Sequence, residues 1–255
     1  MIQKFKAIFF DMDGTIVDTE KDGHRVAFNQ AFAQSGIKAE WSVEEYHQLL
    51  QIAGGKERMK FYFQNEGRKY FPEGKSLDDL VQQLHLLKTE LFISLIETGM
   101  LPLRPGIQRI MKEANEMGIL IGICTTSNEK AVKGILNSLL AEVKIDLILA
   151  GDVVTKKKPD PEIYAMALKK TGFSSNEVLV IEDSENGVIS GKEAHIKVLV
   201  TVNEYTKNED LSRADAVVSS LGNENEKTLV LAGNFELSDP QKVHIEDLNK
   251  LLEKI

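Results

Sequence analysis

Residues 7–15, AIFFDMDGT, join a continuous apolar run to a pair of carboxylates, and they decide the fold. A continuous apolar run of about four to eight residues is typical of a strand that is buried on both faces of a parallel sheet. Asp11 and Asp13 then follow the carboxyl end of this strand, where Gly14 lets the chain turn sharply. Two carboxylates in such a loop can approach one divalent metal ion. The alternative is a polar turn after a buried strand, which is the commoner role of an isolated Asp-x-Asp pair.

Further apolar runs recur along the chain and indicate more buried strands. They are Leu120–Cys124, Leu147–Ala150, Val178–Ile181 and Val198–Val202, with Ala216–Val218 as a weaker sixth candidate. Amphipathic segments separate these runs, and one of them has Ile107, Ile110, Met111, Ala114 and Met117 at helical spacing. Strands that alternate with helices predict an α/β fold, with a doubly wound, Rossmann-like core built on a parallel sheet.

One long segment, residues 19–103, interrupts this alternation because it contains no convincing strand. It has two apolar stripes at helical spacing, formed by Val26, Ala27, Phe28, Ala31 and Phe32 and by Leu77, Leu80, Val81, Leu84, Leu91 and Leu95. An insertion directly after the first strand begins at the carboxyl ends of the strands, where ligands bind in open α/β sheets. We therefore predict a core of residues 1–18 and 104–228 that is interrupted by an all-helical cap of residues 19–103.

Residues 229–255 are predicted to form a C-terminal extension. This segment opens with an apolar stretch and ends in a short amphipathic helix that carries Ile245, Leu248, Leu251, Leu252 and Ile255 on one face. The apolar face can pack on the core or on a partner subunit, and the sequence leaves both open. We expect a monomer, with a weak dimer as the alternative.

Composition and charge narrow the class of protein. The 255 residues include 31 Lys and Arg against 39 Asp and Glu, which gives a net charge of −8. This balance argues against nucleic-acid and anionic-membrane binding, because both need a basic face. It leaves small phosphorylated ligands open, since these need only a few cations or a metal ion. The apolar runs are far shorter than the roughly 20 residues of a membrane span.

The chain has a single cysteine, Cys124, and therefore cannot form an internal disulfide. Nothing in its cysteine content indicates an oxidising compartment. The N-terminal sequence MIQKFKAIFFD lacks the pattern of a signal peptide. We therefore expect a protein of a reducing compartment. Cys124 itself is interpreted as a small buried residue that ends the second strand.

Hydroxyl and amide side chains follow the second strand, at Thr125, Thr126, Ser127 and Asn128. Hydroxyl groups and backbone N–H groups ahead of a helix N-terminus can bind an anion. The alternative is an ordinary helix N-cap, for which Ser, Thr and Asn are the favoured residues. For this segment taken alone, the N-cap interpretation is favoured.

Lys158 and a second acidic pair complete the set of candidate residues. Pro159 favours an extended Lys158, which can then reach back to an anionic site as a compact positive charge. Glu182 and Asp183 follow the strand Val178–Ile181, as Asp11 and Asp13 follow the first. If the strands are parallel neighbours, these groups converge at one edge of the sheet. Each simple structural interpretation is plausible by itself, but their coincidence in this order favours a catalytic site.

The ordered set of Asp11-x-Asp13-Gly-Thr, the Thr/Ser cluster, Lys158-Pro and Glu182-Asp183 resembles the haloacid dehalogenase-like (HAD) hydrolase superfamily. The helical insertion resembles that of the subfamily with an α-helical cap. Five longer stretches look like the CbbY-type phosphatases, which act on xylulose-1,5-bisphosphate, an inhibitor of Rubisco. These stretches are 18–25 (DTEKDGHR), 54–59 (GGKERM), 101–106 (LPLRPG), 127–131 (SNEKA) and 150–154 (AGDVV).

This resemblance implies a mechanism on the matching positions. Asp11 would be the nucleophile that forms an aspartyl-phosphate, and Asp13 would be the general acid and base. Mg²⁺ would be bound by Asp11, by the backbone carbonyl of Asp13 and by Asp183, with Glu182 as a ligand or as an orienting residue. The groups that bind the phosphoryl oxygens would be Thr125, Thr126 and Lys158, with Ser127 and Asn128 beside them.

In the cap, the resemblance implies residues that select a small phosphorylated sugar. Lys56 and Arg58 would reach a distal phosphate, and Glu20, His24 and Arg25 would line the entrance. An exposed or purely structural role is an equally good interpretation of each. His24 lies six residues after Asp18, whereas many relatives have this histidine five residues after the aspartate, so the mutase role of that histidine is not transferred.

The alternatives left open are a β-phosphoglucomutase-like mutase and a phosphatase for another sugar phosphate. A non-enzymatic phospho-receiver is disfavoured by the chain length and by the position of the nucleophile on the first strand. The resemblance implies a cytoplasmic location in a bacterium, or the chloroplast stroma in a photosynthetic eukaryote.

Overall fold

The computed structural model describes residues 5–52 and 54–253, and its backbone divides into two compact units. The sheet unit comprises Met1–Asp18 and Leu103–Ile255, and the helical unit comprises Thr19–Pro102. The helical unit is thus inserted between the first and second strands of the sheet unit.

The sheet has seven strands in the order β3-β2-β1-β4-β5-β6-β7. They are β1 Ala7–Phe10, β2 Leu120–Cys124, β3 Leu147–Leu149, β4 Val178–Glu182, β5 Lys197–Thr201, β6 Ala216–Val218 and β7 Val230–Ala232. The first six are parallel, and they start and end within one residue of the predicted apolar runs. All residues of β1 and β4 are buried, because each strand has neighbours on both sides and lies deep in the core.

The helices of the helical unit are α1 Arg25–Gln34, α2 Val43–Leu49, α3 Gly55–Gln64 and α4 Leu77–Glu97, and a π-helical segment, Thr19–His24, precedes α1. Both predicted apolar stripes lie on helices, namely α1 and α4. Trp41 is fully buried, and the rings of Phe28 and Phe32 pack against it at centroid distances of 4.8 and 5.0 Å. An aromatic core therefore holds this unit together.

The helices of the sheet unit are α5 Ile107–Glu116, α6 Glu129–Leu139, α7 Glu162–Thr171, α8 Glu185–Glu193 and α9 Ile245–Glu253. Within the described ranges, none of the helices combines the length and the apolar composition that are needed to cross a bilayer.

The segment 229–253, for which packing on the core or on a partner was left open, packs within the sheet unit. Its strand β7 pairs antiparallel with β6, and α9 contacts α5 and β4. Strand β7 was not among the predicted strands. It lies at the edge of the sheet and its three residues are exposed, whereas the prediction relied on apolar runs that are buried on both faces. Its apolar side chains therefore do not mark a buried strand.

The register of the parallel strands places the residues at the carboxyl ends of β1, β2 and β4 at the same height along the strands. Phe10 of β1 pairs with Ile123 of β2 and with Ile181 of β4. The residues that follow these three, Asp11, Cys124 and Glu182, therefore lie side by side at the carboxyl edge of the sheet.

Candidate active site

Lys158 lies at the centre of the acidic residues at this edge. Its ammonium group donates to Asp11 Oδ1 at 2.6 Å, to Glu182 Oε1 at 2.5 Å and to the carbonyl of Cys124 at 3.0 Å. An ammonium group has three donors, so all of them are used. The side chain is 10% exposed, and its nitrogen lies 5.0 Å from the ring centroid of Tyr164. The loop that precedes α7 thus carries a fixed positive charge to the end of β1.

Glu182 is fully buried and accepts three hydrogen bonds. Besides Lys158, its Oε1 accepts from the hydroxyl of Tyr164 at 2.6 Å, and its Oε2 accepts from the backbone N–H of Asp183 at 3.2 Å. Gly187 leaves room for this carboxylate, since a Cβ at that position would overlap it. Tyr164 lies on α7, outside the four motifs, and no sequence signal marks it as part of the site.

Asp11, Glu182 and Asp183 together can hold a metal ion. Each offers a carboxylate oxygen, and these oxygens lie within 4.8 Å of one another. Carboxylate oxygens are the ligands that Mg²⁺ prefers, together with water and phosphate oxygens. Asp11 of the first predicted acidic pair therefore converges with both members of the second pair, Glu182 and Asp183.

Negative charge exceeds positive charge in this cluster. Burial raises the pKa of Asp11 to about 8, although the attraction of Lys158 opposes this, and repulsion from Glu182 adds to it. Burial and then repulsion from Asp11 and Glu182 raise the pKa of Asp183 well above its ordinary value. Burial disfavours the charge on Lys158, but attraction by Asp11 and Glu182 outweighs it and raises the pKa of Lys158. One ammonium group does not balance three carboxylates, and a divalent cation would keep them ionised.

The hydroxyl cluster after β2 contacts Asp13. The hydroxyl of Ser127 donates to Asp13 Oδ2, and the backbone N–H of Ser127 donates to Thr125 Oγ1 at 3.2 Å. Thr125 is buried, and Thr126 beside it is half-buried. Asn128 caps α6, because its Oδ1 accepts from the N–H of Lys130 at 2.9 Å. Asn128 therefore has the N-cap role that the sequence left as an alternative.

Arg104 connects the loop after β1 with the end of β5. Its guanidinium group donates to the carbonyls of Gly14 and Val202 and, at 2.8 Å, to the carbonyl of Thr201. Gly14 has a φ of +84°, a backbone conformation that favours glycine. Arg104 could not be predicted as part of the site, because a single arginine before Pro-Gly has no distinctive spacing.

In the helical unit, three of the predicted substrate-binding residues form hydrogen bonds within their own unit, namely Glu20, Arg25 and Arg58. Arg58 is buried and donates to the hydroxyl of Tyr46 at 2.8 Å and to the carbonyl of Leu49 at 3.0 Å. The hydroxyl of Tyr46 donates in turn to Glu20 Oε2 at 2.6 Å. Arg25 donates to the carbonyl of Trp41 at 3.2 Å. Arg25 and Arg58 thus stabilise the helical unit, whatever else they bind.

Lys88 places a buried positive charge beside His24. The ammonium group of Lys88 lies 2.8 Å from His24 Nδ1, and 4.9 and 5.1 Å from the ring centroids of Phe28 and Phe92. Burial and then the charge of Lys88 lower the pKa of His24 to about 3, so that a neutral Nδ1 accepts from Lys88. Burial lowers the pKa of Lys88 to about 8, although Glu20 opposes this. Lys56 is exposed on the first turn of α3.

The sequence contained a signal for Lys88. This residue lies four positions after Leu84 and three before Leu91, on the apolar stripe of α4, yet it is a charged residue. It is 8% exposed. Because buried lysines are rare without a partner or a function, the position marks a candidate binding residue.

Comparisons with known proteins show the family of this chain. Residues 5–195 match the model of the haloacid dehalogenase-like hydrolases. The chain belongs to this family. A CBBY-like protein of Arabidopsis thaliana is 43% identical over 233 residues, which cover 89% of this chain and 72% of that protein. Protein CbbY of Rhodobacter capsulatus is 37% identical over 83% of this chain and 92% of its own.

Two solved structures of CbbY from Rhodobacter sphaeroides are similar to this haloacid dehalogenase-like chain. One, in complex with phosphate, has a TM-score of 0.65 at 36% identity. The other, a mutant in complex with xylulose-(1,5)bisphosphate, has a TM-score of 0.64 at 35% identity, and both cover 85% of this chain and 94% of their own. These matches confirm the predicted family, fold class and hydrolase class.

Proposed function

We propose that this hydrolase is a Mg²⁺-dependent phosphatase that removes a phosphoryl group from a small phosphorylated sugar. The observation that carries the proposal is the contact of Lys158 with both Asp11 and Glu182, with Asp183 beside them. A carboxylate that attacks a phosphate dianion is repelled by it, and fixed positive charge at the reacting oxygens reduces this repulsion.

The residues that would hold Mg²⁺ are Asp11, Asp183 and the backbone carbonyl of Asp13. A bound Mg²⁺ supplies positive charge that offsets the charge of the phosphoryl group. The fit rests on three converging carboxylates and on the raised pKa values of Asp11 and Asp183. Glu182 already accepts from three donors, so its main role is to orient Lys158.

The covalent steps use Asp11 and Asp13. An oxygen of Asp11 attacks phosphorus while the bond from phosphorus to the sugar oxygen breaks, and the carboxylic acid of Asp13 gives its proton to that oxygen. The Asp13 carboxylate then takes a proton from water, which attacks phosphorus and releases Asp11 and inorganic phosphate. The hydroxyl of Ser127 orients Asp13 for both steps. Thr125, Thr126 and Lys158 bind the phosphoryl oxygens.

The helical unit supplies the substrate specificity in this proposal. It is inserted directly after Asp18, five residues beyond Asp13. Two of its basic residues, Lys88 and the exposed Lys56, suit a second phosphate of the substrate. Together with the xylulose-(1,5)bisphosphate complex of the CbbY mutant, this favours xylulose-1,5-bisphosphate as the substrate.

A panel of sugar monophosphates and bisphosphates, ranked by kcat/KM in the presence of Mg²⁺, tests the proposal. We expect free phosphate from each good substrate and the highest kcat/KM for xylulose-1,5-bisphosphate. Another substrate well ahead would overturn the substrate assignment and leave the phosphatase. Glucose 6-phosphate formed from β-glucose 1-phosphate, without free phosphate, would indicate the mutase instead.

A further inference from the structure

Asn203 follows β5, the strand next to β4, and its side chain reaches the acidic cluster. Its Nδ2 donates to Asp183 Oδ2 at 2.7 Å and approaches the carbonyl of Gly14 at 3.4 Å. The amide thus lies between the loop that carries Asp13 and the carboxylate of Asp183.

The orientation of this amide is fixed by its own turn. Asn203 Oδ1 accepts from the N–H of Tyr205 at 2.8 Å and from the N–H of Thr206 at 3.1 Å, while its backbone N–H donates to Thr206 Oγ1 at 3.2 Å. The side-chain oxygen faces donors and the side-chain nitrogen faces acceptors, so a flipped amide would lose all four side-chain hydrogen bonds. The turn therefore holds Nδ2 toward Asp183.

The space for this contact depends on Gly14. A Cβ at position 14 would overlap both Asp183 Oδ2 and Asn203 Nδ2. The positive φ of Gly14 and its missing side chain let the loop after β1 approach Asp183 closely. Asn203 bridges the two segments at this approach.

We infer that Asn203 is a positioning residue for the metal site. Its donated hydrogen bond fixes one oxygen of Asp183 and leaves the other free for a cation, and its contact with Gly14 keeps the Asp13 loop at the matching distance. Hydrogen-bond partners behind metal ligands typically change metal affinity by about 10- to 100-fold. This inference rests on the Mg²⁺ site of the proposed function.

Calorimetric titration of the full chain with Mg²⁺ tests the inference without using turnover. We expect Asn203→Ala to raise the Kd for Mg²⁺ by about 10- to 100-fold relative to wild type. Asn203→Ser keeps a side-chain oxygen for the turn but is too short to reach Asp183, and we expect the same weakening from it. Should Asn203→Ala fail to fold, the serine variant decides.

Asn223 offers a matched control. Its Oδ1 accepts from the N–H groups of Asn225 and Glu226 at 2.8 Å, as Asn203 Oδ1 does in its own turn, but in an exposed loop. Asn223→Ala removes the same kind of turn bond and should leave the Kd for Mg²⁺ unchanged. Equal affinity in wild type and the Asn203 variants overturns the inference alone. A wild-type chain that binds no Mg²⁺ overturns both the inference and the proposed function.

Discussion

Lys158 in the sheet unit and Lys88 in the helical unit are both buried, yet only Lys158 is in contact with negatively charged groups. Lys158 contacts two carboxylates, Asp11 and Glu182, and its pKa is raised. Lys88 contacts a neutral imidazole and two aromatic rings, and its pKa is lowered to about 8. The same residue type is thus a counter-ion in one unit and a source of excess charge in the other.

The difference indicates what each region can bind. Burying charge without compensation is costly, so excess buried charge attracts a ligand of the opposite sign. The acidic cluster around Lys158 favours a cation, and the buried charge of Lys88 favours an anion.

The largest effect is expected from Asp11→Asn, which removes the nucleophile and one charge of the acidic cluster. Phosphate release should fall by at least about 10⁴-fold, as it does when a nucleophile is removed from other covalent hydrolases. The measurement is kcat with a saturating sugar phosphate and Mg²⁺. Turnover within tenfold of wild type would exclude Asp11 as the nucleophile.

Lys158→Met tests whether Lys158 is the counter-ion of the acidic cluster in the sheet unit. Three buried carboxylates then lose the ammonium group that contacts two of them, and the free energy of unfolding at pH 7 should fall by about 3–5 kcal/mol. Urea unfolding measures the change, and added Mg²⁺ should restore part of it because a divalent cation replaces the lost charge. Exposed Lys112, which pairs with Glu142 at the surface, is the control, and its methionine variant should be nearly neutral.

The carboxylates around Lys158 could be predicted from the sequence, whereas the roles of Asn203, Tyr164 and Lys88 depend on contacts across the fold. Asp11, Glu182 and Asp183 follow apolar strands, so the parallel register was enough to bring them together. Asn203 and Tyr164 lie on segments that have no motif of their own, and their roles depend on contacts across the fold. Lys88 lies in a leucine stripe that predicts the buried face of a helix. A lysine in that stripe is a signal, but the sequence does not show which groups it contacts.

Lys88→Met tests whether the buried charge of Lys88 destabilises the helical unit. It replaces this charge with an apolar side chain of similar size. The folded-state pKa of Lys88, about 8, lies below its ordinary value of 10.5, so its charge disfavours folding at pH 7. The variant should therefore gain about 1–3 kcal/mol in free energy of unfolding at pH 7. This gain should shrink between pH 8 and 10.5, because over this range the folded chain has lost the proton of Lys88 while the unfolded chain still binds it. Urea unfolding at both ends of this range measures it.

Activity measurements on Lys88→Met distinguish two roles of Lys88, namely binding of a second phosphate and structural support of the helical unit. If Lys88 binds the second phosphate, Lys88→Met raises KM for a bisphosphate and leaves KM for a monophosphate nearly unchanged. Equal increases for both substrates would mean that Lys88 supports the helical unit without contacting that phosphate.

The smallest loss of unfolding free energy is expected from Tyr164→Phe. Tyr46 of the helical unit has similar contacts and serves for comparison. Each tyrosine donates to a carboxylate at 2.6 Å and has a cation 5.0 Å from its ring centroid. Removing the hydroxyl of Tyr164 leaves Glu182 bonded to Lys158 and should cost about 1–2 kcal/mol of unfolding free energy. Tyr46→Phe should cost more, because the hydroxyl of Tyr46 also accepts from Arg58 and its loss leaves a buried donor unpaired. A larger loss from Tyr164→Phe than from Tyr46→Phe would mean that Lys158 alone does not hold Glu182 in place.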